Sequence, residues 1–266
     1  MPSDEARSGT AVVGIINVTP DSFSGDGLYD RLDAVAARAG QIEAEGAAMV
    51  DLGGQSTRPG ATPVDDGEEL RRVIPAVECL VAAVSIPISV DTSRTSVARA
   101  ALAAGATVIN DVSGLSDPEL PGIIAERDAG LVIVHHAPVE GARVIDSVRE
   151  GLARLVHRAE ARGVERKRIV VDPGLGFGKG WRENLVILRD LRGLQPLGLP
   201  ILVGPSRKGT IGRVLGVDVH DRLEGTAALV TIAIANGASL VRVHDVREMV
   251  RVARMTDAIT AARPQV

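Results

Sequence analysis

Apolar runs that each end in a polar residue recur along this chain, alternating with Ala-, Leu-, Glu- and Arg-rich stretches. The runs are Val12 to Val18, Met49 to Leu52, Ile86 to Val90, Val108 to Ile109, Leu131 to Val134, Ile169 to Val171, Ile201 to Val203 and Leu240 to Val243. After them come helix-like segments at 31–45, 66–83, 94–104, 118–127, 144–162, 182–193, 222–236 and 247–261. Gly46, Gly105, Gly130, Gly163 and Gly237 stand just before a following run, where a helix C-terminal signal belongs. Strict alternation of strand and helix implies a parallel sheet. Eight units predict the α/β class and a closed (β/α)8 TIM barrel rather than an open doubly wound sheet, which more often has five or six strands. Neither the dinucleotide fingerprint Gly-x-Gly-x-x-Gly after the first run nor a Gly-x-x-x-x-Gly-Lys-Ser/Thr phosphate loop is present. At 266 residues the chain suits one such barrel of roughly 250 residues, so 1–266 reads as a single domain with frayed ends at about 1–9 and 263–266.

Composition narrows the ligand. A chain with 45% hydrophobic but 2% aromatic residues has little with which to stack nucleic-acid bases, and a formal charge of −4 without a basic cluster gives no phosphate-backbone footprint. Small molecules are the expected partners, with no nucleic acid and no membrane. Cys79 is the single cysteine, so no intrachain disulfide can form, which fits a reducing compartment. No apolar run approaches the roughly 20 residues that span a bilayer. The expected location is the cytoplasm.

In a (β/α)8 barrel, function sits at the carboxyl ends of the strands. Those ends deliver Asn17, Asp51, Asp91, Asn110 with Asp111, His135 with His136, Asp172, Ser206-Arg207-Lys208, and Arg242 with His244. Asp91, Asn110, Asp172 and Lys208 offer two carboxylates, an amide and an ammonium, a set that reads the donor and acceptor edge of a heterocycle such as a purine or pterin. Asp91 has a simpler use as a helix N-cap, since Asp91-Thr-Ser93 precedes a helical run. Arg58, Arg242, Lys208 and His244, with Asn17, Ser56 and Thr57, suit phosphate or pyrophosphate oxygens. Arg242 stands inside an apolar strand, where it must either bind a ligand or pair with a barrel carboxylate. Consecutive strand residues face opposite ways, so His135 and His136 are a poor pair for one metal ion. Two loops, 19–30 and 53–65, exceed the two to six residues usual in βα connections and are placed as lids at the active face.

The motifs that carry these residues are Asn17-Val-Thr-Pro-Asp-Ser-Phe-Ser24, Gly53-Gly-Gln-Ser-Thr-Arg-Pro-Gly60, Val90-Asp-Thr-Ser93, Ile109-Asn-Asp-Val-Ser-Gly114, Asp172-Pro-Gly-Leu-Gly-Phe-Gly-Lys179, Ser206-Arg-Lys208 and Arg242-Val-His-Asp245. Together and in this order they resemble the dihydropteroate synthase family. The resemblance implies a folate-pathway transferase that condenses 6-hydroxymethyl-7,8-dihydropterin diphosphate with p-aminobenzoate, assisted by Mg2+, and a homodimer. Carried over by position, Asp91, Asn110, Asp172 and Lys208 hold the pterin; Asn17, Thr57, Arg58, Arg242 and His244 hold the pyrophosphate, with Asn17 also on Mg2+. Pro59, Phe177, Ser206 and Lys208 border p-aminobenzoate, and Lys208, Arg58 and Asp91 serve catalysis. Three places depart from the family pattern. Ser24-Gly-Asp-Gly27 stands where Ser-Asp-Gly-Gly is usual, His136 where a Met is usual, and Gly209-Thr210 where a polar or basic residue and a bulky apolar one are common. Two alternatives stay open at this point: a diverged, non-enzymatic pterin-binding homologue, and a pterin-dependent corrinoid methyltransferase.

Arg58 on the second long loop generates a test. Arg58→Ala is expected to depress arylamine incorporation far more than affinity for a pterin analogue, as a late-acting phosphate contact should. Steady-state turnover set beside calorimetric titration separates the two, and equal losses would place Arg58 in the rigid pocket.

Overall fold

The computed structural model describes residues 9–19, 31–55, 64–139 and 143–262. Most of both long loops, including Thr57, Arg58 and Pro59, lies outside the described residues, as do the chain ends 1–8 and 263–266. Among the described residues eight strands form one sheet: β1 (Ala11–Asn17), β2 (Met49–Gly53), β3 (Ile88–Asp91), β4 (Val108–Asp111), β5 (Gly130–Val134), β6 (Ile169–Asp172), β7 (Leu202–Val203) and β8 (Leu240–Val243). Their order is β6-β5-β4-β3-β2-β1-β8-β7, with every neighbouring pair parallel. A bridge from Val171 to Ile201, with the Val171 N–H donating to the Pro200 carbonyl at 3.0 Å, joins the two end strands. The sheet is a closed barrel, as the alternation predicts.

Around it pack α1 (Leu32–Ala44), α2 (Asp66–Ala83), α3 (Thr95–Ala104), α4 (Leu120–Glu126), α5 (Val144–Glu160), α6 (Trp181–Arg189), α7 (Gly209–Leu215), α8 (Leu223–Ala235) and α9 (Val246–Ala261). Three details differ from the sequence reading. The helix placed at 182–193 gives way after Arg189 to a 3-10 turn, Leu191–Leu197, where Pro196 cannot donate to an α-helical ladder. Gly130 opens β5 instead of closing a helix, and Asp128 takes the left-handed turn with φ 50°. Finally, α7 is an added helix after β7. Its Gly209-Thr-Ile-Gly212 start is poor in helix formers, so its stability rests on tertiary packing rather than propensity.

The strands bury both faces. Outward positions such as Ile16, Leu52, Val90, Ile109, Leu131, Ile133 and Val171 pack under the helices in one large apolar cluster. Val13, Met49, Val108, Val132, Val134, Val170, Leu202 and Leu240 form a second cluster with no helix residue in it, the barrel interior. Each fully buried side chain of this kind contributes about 1.5–3 kcal/mol. Towards the carboxyl ends the interior positions turn polar. Asp51 pairs in register with Ser89, Asp91 with Asn110, and Val13 with Arg242, so charge replaces hydrocarbon in the upper layers.

Gly14 measures how tightly the outer layer is packed. A Cβ there would lie 2.5 Å from Ile42 Cγ2 of α1 and 3.1 Å from Val246 Cγ2 of α9. Gly14→Ala is therefore expected to destabilise the fold by about 1–3 kcal/mol through overpacking. Urea denaturation reads it, and an unchanged midpoint would mean that α1 shifts freely on the sheet.

Candidate active site

The carboxyl ends of the strands open into a cavity of about 680 Å³. Asn17, Asp91, Asn110, Asp172, Phe177, Ser206, Lys208, Arg242 and His244 all line it, so every described residue expected to hold pterin, pyrophosphate or p-aminobenzoate comes to one place. Arg242 joins the two groups that the sequence kept apart. Its Nε donates to Asp51 Oδ2 at 2.5 Å and its Nη2 to Asp91 Oδ2 at 3.2 Å, while Asn110 Nδ2 donates to the same Asp51 oxygen at 3.3 Å. Asp91 is thus no N-cap. The residue at the cap position of α3 is Arg94, which makes no side-chain cap bond, and Thr95 N–H donates instead to Asp117 Oδ2 at 3.1 Å.

Burial pushes the Asp91 carboxyl up to about 7, against the pull of Arg242 and with help from the nearby Asp51, Glu69 and Asp111 charges. Burial likewise raises Asp172 to about 6, moderated by the Gly174 N–H that donates to its Oδ1 at 2.6 Å and by Lys208. Two carboxyls poised near neutrality at one cavity floor are typical of a working site.

The glycine-rich loop after β6 is shaped by Lys179. Its buried ammonium donates to the carbonyls of His135 at 2.7 Å, Phe177 at 2.8 Å and Gly174 at 3.2 Å, which satisfies all three N–H groups. Burial lowers its pKa to about 8, with Asp172 pulling the other way. Gly174 is required here: at φ 72° a Cβ would sit 2.2 Å from the His135 oxygen. The loop so held presents Phe177, whose ring centroid lies 4.7 Å from Lys208 Nζ. Asn184 of α6 ties the loop to α7, accepting from Gly176 N–H at 3.1 Å and donating to Thr210 Oγ1 at 2.9 Å.

Other motif residues act as braces. Arg207, between Ser206 and Lys208, adopts φ 54° and pairs with Asp245 at 2.6 Å, locking the β7 end to the β8 end. Ser206 Oγ then stands 2.9 Å from His244 Nδ1. Arg94 bonds Gln55 Oε1 at 3.0 Å, the Val64 carbonyl, Glu69 and, at 2.8 Å, Asp66. Gln55 and Val64 are the residues that flank 56–63. Asp111 supports the β4 turn through Ser113 Oγ at 2.6 Å and Leu115 N at 2.5 Å.

The two histidines part as strand alternation requires. His135 is buried against α5, where Gly151 leaves room for its ring, and burial with the Lys179 charge lowers it to about 4. His136 is exposed beside the cavity. Its Nδ1 lies 2.6 Å from the Val112 carbonyl, an acceptor, so that nitrogen carries the proton, and its ring lies 5.4 Å from Phe177. Trp181 lines the cavity, as do Asn184, Thr210, Arg213 and Arg222. These come from α6, α7 and the segment before α8, which no strand-end pattern marks.

The pterin-binding enzyme family model matches residues 13–244. The chain belongs to the dihydropteroate synthase family of pterin-binding enzymes. It is 43% identical over 252 residues to the dihydropteroate synthase of Bacillus subtilis, covering 94% of this chain and 88% of that protein. A Clostridium difficile dihydropteroate synthase, crystallised in the presence of pteroic acid, superposes with a TM-score of 0.90 at 44% identity, covering 95% of this chain and 97% of that one. The Xanthomonas albilineans dihydropteroate synthase with 4-aminobenzoic acid does so at 0.90 and 41%, covering 96% of this chain and 94% of that one.

The raised carboxyls give a stability test. Asp172 has a folded value of about 6 against 3.8 when unperturbed, so the native state binds more protons between those values. Its contribution to stability is full below pH 3.8 and lost as pH rises through 6. Asp172→Asn keeps an acceptor for Gly174 without the charge. The variant is expected to be more stable than wild type at pH 7.5, by on the order of 2 kcal/mol, and to lose most of that advantage by about pH 4.5. Urea midpoints at both pH values check it; a pH-independent difference would contradict a buried, proton-holding Asp172.

Proposed function

We infer that the chain joins 6-hydroxymethyl-7,8-dihydropterin diphosphate to p-aminobenzoate, giving 7,8-dihydropteroate and pyrophosphate, as a transferase of folate biosynthesis. The observation that carries this is a single cavity with a carboxyl-rich floor at Asp91, Asn110 and Asp172 and a basic and hydroxyl-bearing side at Lys208, Ser206, Arg242 and His244, in a chain 43% identical to a dihydropteroate synthase. In this reading the two carboxylates accept from the pterin ring N–H and amino groups, Asn110 meets the same edge, and Lys208 donates to the ring carbonyl. Phe177, Ser206 and Lys208 border the arylamine, with Pro59 from the second loop. Asn17, Thr57, Arg58, Arg242 and His244 take the diphosphate.

The donors present fit a magnesium ion of the kind that keeps water and substrate phosphate as most of its ligands. Asn17 brings an amide oxygen to the cavity wall, 3.5 Å from where a Cβ on Gly53 would stand, and among the described residues no three His, Cys, Asp or Glu groups converge as an all-protein cage. Bound there, Mg2+ would supply positive charge to the leaving diphosphate.

The reaction divides into departure and attack. Cleavage of the methylene C–O bond puts negative charge on the diphosphate, towards Arg242 and His244, and leaves a cation conjugated with the dihydropterin. That cation favours the ionised form of Asp91, whose pKa burial raises above the usual carboxylate range, and the carboxylate so formed offsets ring charge as it develops. The arylamine nitrogen then forms the C–N bond and releases a proton. A weakly basic aniline needs no side chain to deprotonate it before attack, so no general base is called for.

No helix among the described residues is long and apolar enough to cross a membrane. A cytoplasmic enzyme is the reading we favour. α8 and α9 pack together and leave Ile232, Met255 and Ile259 exposed, the surface we assign to a homodimer contact.

Pyrophosphate release by purified protein supplied with pterin diphosphate, Mg2+ and p-aminobenzoate tests the activity against both a silent homologue and a corrinoid methyltransferase. Asp172→Asn is expected to keep the fold yet lose pteroic acid affinity by at least about tenfold, since one charge-assisted bond goes. Wild-type affinity in that calorimetric titration would remove Asp172 from the pterin site.

A further inference from the structure

Asp51 sits one layer below the cavity. It is 1% exposed and is not among the described residues that line the cavity, yet two lining residues end on it: Arg242 Nε at 2.5 Å and Asn110 Nδ2 at 3.3 Å. A carboxylate can only accept, so whichever atom of the Asn110 amide faces Asp51 must be its nitrogen. Asn110 Oδ1 is consequently turned away from Asp51. It is buried, and among the described residues it has no hydrogen-bond partner. Buried polar atoms are rarely left so, and Asn110 borders the cavity, so the missing donor is one that a ligand brings.

We propose that Asp51 is a positioning residue of this site: it fixes Asn110 with its carbonyl oxygen towards the ligand and thereby makes that position an obligate acceptor, selecting a ring edge that presents an N–H or amino group there. The inference rests on the pterin-binding reading and extends it to a residue that touches no substrate. It also explains why an amide serves at 110. Two carboxylates at 51 and 110 would repel, and an amide without an ionised neighbour would be free to turn either way.

Exchanging the two side chains tests this. Asn110→Asp alone sets a second carboxylate against Asp51 and is expected to weaken pteroic acid binding and kcat/KM by about 10- to 100-fold. Asp51→Asn alone lets both amides turn and is expected to cost about tenfold. The double variant, carrying Asp51→Asn together with Asn110→Asp, reverses the polarity of the pair: the amide at position 51 donates, and a carboxylate oxygen at position 110 again faces the ligand. Pteroic acid affinity and kcat/KM should therefore rise well above the Asn110→Asp single variant, though short of wild type, because one amide position cannot both donate to residue 110 and accept from Arg242 Nε as the shared Asp51 oxygen does. A purely structural Asp51 would not make a second substitution restorative. If the losses of the two single variants simply add, or the double variant fails to fold by circular dichroism, the proposal is overturned. A wild-type protein that neither binds pteroic acid nor releases pyrophosphate would instead overturn the functional assignment beneath it, a result visible before any variant is made.

Discussion

Arg242 carries a full charge into the interior of a β-barrel, and burying a charge is tolerable only where it is met. Asp51 from β2 and Asp91 from β3 meet it, and Asn110 from β4 joins through Asp51. Side chains from β8, β2, β3 and β4 thereby form one polar layer across the barrel. Hydrocarbon cannot fill that layer, so the upper interior is a cavity, whereas Val13, Met49, Val108, Val132, Val170, Leu202 and Leu240 close the space beneath it. Depth of charge thus sets where the apolar core stops and the site starts.

A consequence is that many motif residues serve the site by holding other residues in place. Lys179 gathers three carbonyls and so shapes the loop that presents Phe177; Arg207 and Asp245 lock two motifs to each other so that Ser206 and His244 meet. Arg94 bonds both residues that flank 56–63. Each brace commits a charged group to backbone or to another motif, which is unfavourable unless position matters. The same logic accounts for the raised Asp91 and Asp172 carboxyls. A fold selected for stability alone would not hold two acids at a dry floor, and their burial is the physical sign of a site under functional constraint.

The fold was legible because alternation is a local property. Apolar runs of strand length followed by helical segments imply parallel crossovers whatever their partners, and eight of them imply closure. Strand-end residues were legible for a related reason: a (β/α)8 barrel brings its eight carboxyl ends to one mouth, so Asn17, Asp91, Asn110, Asp172, Lys208 and Arg242 could be collected before any contact was seen. Their motifs also sufficed to mark the family.

Orientation and partnership were decided elsewhere. Sequence left Asp91 as either a cap or a ligand; only the register that puts Arg242 within 3.2 Å of it made it a floor carboxylate. His135 and His136 were indistinguishable until α5, with Gly151 opposite the ring, took one and left the other beside Phe177. α7 escaped because its residues have little helical propensity and it stands by tertiary contacts such as Asn184 to Thr210, and Trp181 was not marked because it enters the cavity from a helix rather than a strand end. Periodicity and strand ends are written in neighbouring residues, so the chain by itself determined the barrel and the contents of its mouth. Which side chain meets which depends on shear, register and helix packing, sums over the whole molecule that only the closed tertiary structure evaluates.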